Sequence, residues 1–287
     1  MKRIKEFLKT LIDIIMLPEM MHLPGSLAFF IILSIFPVLI LIGIIASYFS
    51  VSIDGVVNTL SIALPAGVEQ LLLPYIQIGT FPRNIIISTI FAFILASNGT
   101  HALILASNSL YEIKNSSYIK RRVKALFLIL LLIVLFVFMI SFLTYGNRIF
   151  TYILKSVSYE PVNEILYYLF AFIKWPIAMF IIYLAIKLLY VLSPDGKIYS
   201  ATTSKGALFS TIGFTVATAV FSFYVNYFSA YDIYYGSIAT IVILMIWVYI
   251  LSFILVIGIA INVRSYNQYK IKNMNNMLKK NNNISVL

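Results

Sequence analysis

The chain has 287 residues, 61% of them hydrophobic and 11% charged, with a mean hydropathy of +0.97 and a net charge of +11. Soluble domains are nearer half apolar and a quarter charged, so a water-facing surface cannot be built from so few charges and a soluble enzyme is close to excluded. No cysteine occurs, which removes disulfides, thiolate metal sites, iron–sulfur clusters and cysteine nucleophiles.

Residues 1–22 come first. Ile4, Phe7, Leu8, Leu11, Ile12 and Ile15 recur at helical spacing, with Lys2, Lys5, Lys9 and Asp13 on the other side. This predicts an amphipathic helix in the cytoplasmic headgroup layer, or the same helix packed on cytoplasmic loops. Lys9 and Asp13 interrupt any apolar leader region and no small-residue cleavage site follows, so a signal peptide is not expected. Pro18 and Pro24 end the helix and turn the chain into the membrane.

A hydrocarbon core takes about 20 apolar helical residues. Charge-poor windows meet that length six times. The first lies between Glu19 and Asp54, the second between Arg83 and Glu112, and the third between Lys124 and Arg148. The fourth, Ile165 to Leu192, carries Lys174 and Lys187; the fifth and sixth lie on either side of Asp232, from Lys205 to Arg264. These are continuous apolar runs rather than short alternating segments, which excludes a transmembrane β-barrel. The predicted fold is all-α and polytopic: six transmembrane helices within 23–264. Pro65, Pro74 and Pro82 divide a long first outer loop, where Val56, Val57, Leu60, Val68, Leu71 and Leu72 predict short amphipathic helices. Residues 265–287, rich in Asn and Lys, are expected to be a disordered cytoplasmic tail.

The basic residues fall mainly on one side of this topology. Lys2, Arg3, Lys5 and Lys9, then Lys114 to Lys124, then Lys187, Lys197 and Lys205, then Arg264 to Lys280 share it, against Arg83, Arg148, Lys155 and Lys174 opposite. Such a bias places both termini in the cytoplasm, with the chain in the cell (inner) membrane. In so apolar a chain the excess charge reads as a topology signal and a contact for anionic lipid headgroups rather than for nucleic acid.

Few residues offer chemistry. Pro37, after Ser34 in the first span, removes a helical bond to the Leu33 carbonyl and frees an acceptor inside the membrane. Broken spans of this kind point to transport sites, although prolines are also tolerated structurally. Asn98, His101, Leu105 and Asn108 share one face of the second span, either lining a site or joining helices. Lys174 could reach an outer-leaflet headgroup or snorkel to the interface. Tyr231, Asp232 and Tyr235 mark the outer end of the fifth span; Asp232 is a cation or proton site if sunk in the membrane and a loop residue otherwise. The candidate substrate-binding set is therefore Ser34, Pro37, Asn98, Asn108, Lys174, Tyr231, Asp232 and Tyr235. No phosphate-binding or dinucleotide-binding glycine loop, acidic cluster or nucleophile elbow occurs. No catalytic residue, metal site or cofactor is expected.

Several of these stretches resemble the YihY/BrkB ("virulence factor BrkB") membrane proteins. Leu27-Ala28-Phe29-Phe30 with Ser34-Ile35-Phe36-Pro37 resembles the family's LAYY and SLFP segments, and Asn108 with Tyr111 its ALNxxY. Pro194, Gly206-Ala207, Phe221 and Tyr224 follow its pattern, as do Tyr235-Gly236-Ser237, Trp247, Tyr249, Gly258 and Asn262. Ala260 stands where many members carry Glu, which puts any role of that acid in doubt here. The resemblance implies a six-span inner-membrane protein, and the family's old ribonuclease label is generally regarded as mistaken. Some relatives are associated with envelope lipid or lipopolysaccharide handling. The expected function is a transporter or flippase-like handler of an anionic amphiphile. The alternatives are a non-transporting scaffold for an envelope-synthesis partner and a proton- or ion-coupled solute carrier.

Overall fold

A computed structural model describes residues 2–48, 85–155, 160–227 and 237–284. Among the described residues there is no strand. The helices are α1 (Lys2–Ile15), α2 (Leu23–Tyr48), α3 (Ile85–Leu110), α4 (Tyr118–Lys155), α5 (Glu160–Leu192), α6 (Ser200–Tyr227) and α7 (Ser237–Ile284), with a 3-10 turn at Pro18–Met21 before α2. Helices α2 to α7 each contain a stretch long and apolar enough to cross a membrane. With no water in hydrocarbon, a backbone must satisfy its own polar groups, and a helix does so within one segment. The charge-poor windows therefore become these six helices. The first outer loop, with its expected short helices, lies outside the described residues.

The six long helices form a closed circuit. Each packs on the next in sequence, and α7 returns to pack on α2; α3 also touches α7, and α2 touches α4. One end of the circuit gathers the starts of α2, α4 and α6 and the ends of α3 and α5. Lys114, Lys120, Arg121, Arg122, Lys124, Lys197 and Lys205 are at this end, which is called the basic end below. A purely apolar cluster of Leu39, Ile42, Ala92, Ile133, Val137, Ile140 and Leu244 joins α2, α3, α4 and α7 farther along the helices.

Helix α1 forms as its periodicity predicts. Ile14 is buried and Leu11 packs beside it on the bundle core, while Asp13 meets Arg264 at 4.0 Å. Ile12, Ile15 and Met16 stay exposed. Beyond Arg264 the chain departs from expectation: no disordered tail begins at Ser265, because α7 continues to Ile284. Nucleation is the costly step of helix formation, and the span has already supplied it. The extension is also held sideways, since Tyr266 packs edge-on against Tyr111 and stacks near Tyr199, which in turn meets Tyr269.

Helix α3 ends in a Schellman motif. The Ile113 N–H donates to the Asn108 carbonyl (2.9 Å) and the Glu112 N–H to that of Ser109 (3.1 Å). The motif needs a left-handed residue after the helix, and Glu112 takes it with φ 53°. This turn fixes Asn108 at the helix end, where its side chain faces the next loops.

Candidate functional site

The polar side chains of the spans gather in a layer toward the basic end. Ser34 of α2 comes first. Its hydroxyl donates to the Phe30 carbonyl at 2.7 Å, and accepts the Gly99 N–H at 2.9 Å, with the Leu95 carbonyl 3.3 Å away. Gly99 N–H and Leu95 carbonyl are the groups an α-helix joins to each other, so Ser34 inserts into the ladder of α3. Ile31 and Ser34 lie against Gly99, where a Cβ would crowd both. The Ser34 hydroxyl is thus committed to Phe30 and α3. Pro37 lies inside α2, which runs through it unbroken and leaves it half-buried.

One residue farther along, α3 receives a charge. Arg122 of α4 donates through Nη1 to Asn98 Oδ1 (2.9 Å) and through Nη2 to the Ile94 carbonyl (2.7 Å). The Thr100 hydroxyl donates to the Ala125 carbonyl at 2.9 Å, which sets α3 and α4 side by side at that level. Arg122 precedes Ala125 and starts nearer the basic end. Its guanidinium nevertheless lies between Ile94 and Asn98, two to six residues or about 3–9 Å beyond Thr100 along α3. Arg122 therefore points away from the basic end. Lys124 points the other way, donating to the Ser193 and Pro194 carbonyls (2.9 and 2.7 Å) and to Asp195 Oδ1 (3.1 Å). Among the described residues the two ion pairs are Lys124–Asp195 and Arg264–Asp13, and Arg122 has no acidic partner.

Asp195 is the hub of the loops. Its Oδ2 accepts Asn108 Nδ2 (2.9 Å) and the Ser116 N–H (3.0 Å), and its own N–H donates to Asn108 Oδ1 (2.8 Å). Asn108 Nδ2 also donates to Asn115 Oδ1 (2.8 Å), and Ser107 and Ser193 hydroxyls meet at 2.7 Å. Burial alone would raise the Asp195 carboxyl. The Ser116 N–H, the Asn108 amide and Lys124 together outweigh it and hold the group at about 2, below its ordinary 3.8. Arg121 caps the same loop on the Ser116 carbonyl.

The opposite wall is sewn by α5, α6 and α7. The buried Tyr190 hydroxyl meets Ser210 Oγ at 2.6 Å and donates to the Leu255 carbonyl at 2.9 Å. The Gly206 N–H donates to Asn262 Oδ1 at 2.8 Å. Gly206 and Gly258 let α6 and α7 touch backbone to backbone: a Cβ on Gly206 would overlap the Gly258 carbonyl, and one on Gly258 would overlap Ser210 and Tyr190.

The sequence-derived candidates are thus separated. Ser34 is bonded to Gly99 and Asn98, next to it in sequence, to Arg122, whereas Asn108 belongs to the Asp195 network. Lys174 is on α5, with its side chain outside the described part of the structure; Tyr231, Asp232 and Tyr235 lie outside the described residues. His101 packs edge-on against Tyr118, with ring centroids 5.7 Å apart. Arg122, Lys124 and Asp195 were missed as site residues, having been counted only as flanking charges or polar loop. One signal for Arg122 was available: it shares a helical stripe with Ala125, Ile129 and Ile133, all buried. Among the described residues no group of three or more His, Asp or Glu could hold a metal ion.

These observations define an integral membrane protein of six long helices with a polar layer at one end. The chain belongs to the virulence factor BrkB family, whose profile matches residues 17–283. It is 29% identical over 273 residues to YfkH of Bacillus subtilis (strain 168), named a ribonuclease-like protein, covering 94% of this chain and 98% of that one. A UPF0761 membrane protein of Alteromonas mediterranea is 38% identical over 74 residues, 26% of this chain and 25% of its own. Another, from Idiomarina loihiensis, is 28% identical over 102 residues, 36% of each chain. No solved structure matches.

Proposed function

We propose that this protein moves an anionic membrane amphiphile between leaflets, or presents it to a partner, from the basic end of the bundle. One observation carries the reading: a guanidinium without an acidic partner among the described residues is turned away from the basic end, onto the lipid-facing side of α3. Ile87, Phe91, Ile94 and Leu95 are exposed there, and Asn98 follows them on the same helical stripe. Ionisable groups within spans are costly and mark pathways for charged cargo. The basic end faces the cytoplasm, in line with the positive-inside bias, and the chain resides in the cell membrane. Anionic headgroups are its ligands, and nucleic acid is not.

A ribonuclease role is not part of this proposal, whatever the name of the Bacillus relative. The two histidines, His22 and His101, are far apart in sequence, and no acidic cluster accompanies either. A second reading, a non-transporting scaffold for an envelope-synthesis partner, is favoured by the way Ser34, Asn98 and Asn108 are all taken up by protein groups. The solute-carrier reading rests on Asp232, outside the described residues.

Reconstitution in liposomes decides between the first two. Purified protein should speed leaflet exchange of fluorescent anionic lipids over empty vesicles. Unchanged exchange with several anionic lipids, beside an active scramblase control, overturns the proposal in favour of the scaffold.

A further inference from the structure

The hydrocarbon boundary can be placed on the helices. Lys124 is the last charge on α4 before Arg148, and its side chain turns back toward the basic end. Ala125 therefore marks the edge of the apolar layer, and Thr100 marks the same level on α3. Arg122 could follow Lys124 out to water, as long cationic side chains do. It reaches inward past that edge instead, so a lipid phosphate bound there is drawn in from the headgroup layer along the exposed face of α3.

A guanidinium has five N–H donors in a rigid fork. Asn98 Oδ1 and the Ile94 carbonyl take two. Both acceptors are neutral, so they orient the group without cancelling its charge. Lys124 is committed to Asp195, while Arg121 donates to the Ser116 carbonyl in the loop. The remaining donors of Arg122 match the paired oxygens of a phosphate. Beside them, α3 presents exposed Ile87, Phe91 and Leu95, a strip suited to hydrocarbon chains and not to a hydrated ion.

We infer that Arg122 is a binding site for the phosphate of an anionic membrane lipid, with Asn98 and the Ile94 carbonyl as positioning groups and the acyl chains lying along Phe91 and Leu95. This rests on the lipid-handling reading and names its ligand and its contact residue.

The test follows thermal unfolding of the full chain in mixed micelles while phosphatidylglycerol, an uncharged diacyl glycolipid or inorganic phosphate is added. Phosphatidylglycerol should raise the melting temperature in a saturable way, and the other two should not. Arg122→Gln should weaken the phosphatidylglycerol response at least tenfold. Lys197→Gln, which removes an exposed charge from the same end, should keep it. An Arg122→Gln response equal to wild type overturns the site, and an equal response to inorganic phosphate overturns the lipid as its source. If Arg122→Gln does not fold, wild-type protein with 15N-labelled arginine in phosphatidylglycerol bilayers gives the answer by solid-state NMR. One guanidinium should be dephased by lipid phosphorus; none dephased overturns the inference. The two proposals fail separately. Lipid exchange by wild type that is unaffected in Arg122→Gln removes the site and leaves the function. Arg122-dependent binding without exchange removes transport and leaves the site.

Discussion

Gly206 shows how much a single hydrogen can decide in this bundle. Its Cα lies against the Gly258 carbonyl, and that oxygen belongs to a helix backbone that cannot swing aside. Gly206→Ala must therefore push α6 from α7 and lengthen the Gly206–Asn262 hydrogen bond. Overpacking of this kind costs about 1–3 kcal/mol, and the rigid neighbour argues for the upper end. Gly25 offers the internal control: nothing lies within 4 Å of a Cβ built there. Gly25→Ala should be neutral or stabilise α2 by up to about 1 kcal/mol through helix propensity. Melting curves of the two variants in one detergent should thus move in different directions or by very different amounts. An equal loss for both would show that the α6–α7 crossing is not as close as described. The family resemblance named Gly206, Gly258 and Asn262, and each is explained here by packing.

At the scale of elements, the loops after α3 and α5 are held by one carboxylate. Asp195 joins the end of α3 through Asn108, the α3–α4 loop through Ser116 and the start of α4 through Lys124. Its folded-state pKa of about 2 is below the 3.8 of a free Asp. The network therefore contributes its stability in full above about pH 4 and loses it as pH falls toward 2. With its carboxyl partly open to water, screening discounts a shift of that size to about 1 kcal/mol. Wild type should lose that much between those pH values, and Asp195→Asn should lose little further there, having lost it already at neutral pH. Parallel acid profiles for the two proteins would remove this role.

The elements themselves were legible because span formation depends on composition: a long charge-free run has no choice but helix. The direction of Arg122 was not legible. Whether a long side chain snorkels or dives depends on what the neighbouring helix offers at its level. That level is set by the α3–α4 crossing at Thr100 and Ala125, which no periodicity within α4 contains. Asn108 was visible as a polar residue on a helix face, but its partner Asp195 is far away in sequence and brought close only by the closed circuit. The continuation of α7 was hidden by composition, since its Asn and Lys residues look unstructured when separated from the span that precedes them.

Among the described residues the molecule is asymmetric along its length, with most hydrogen-bonded crossings toward the basic end and an apolar cluster farther along. Charge and chemistry coincide there, so its side of the membrane decides which leaflet Arg122 serves. Fluorescent-protein fusions at Ile284 and within residues 114–117 should both light up in the cytoplasm, and periplasmic-type phosphatase fusions at the same points should be inactive. Active phosphatase at 114–117 would invert the orientation and assign the phosphate site to the outer leaflet.

The length of α7 has a mechanical consequence. From Tyr269, packed on Tyr199, to Ile284 it continues for 15 residues, a helical arm of about 22 Å. A tilt of about ten degrees at that contact would sweep its tip through about 4 Å, given that arm length. Small readjustments there are thus magnified into a displacement that a molecule waiting beyond the headgroups can feel.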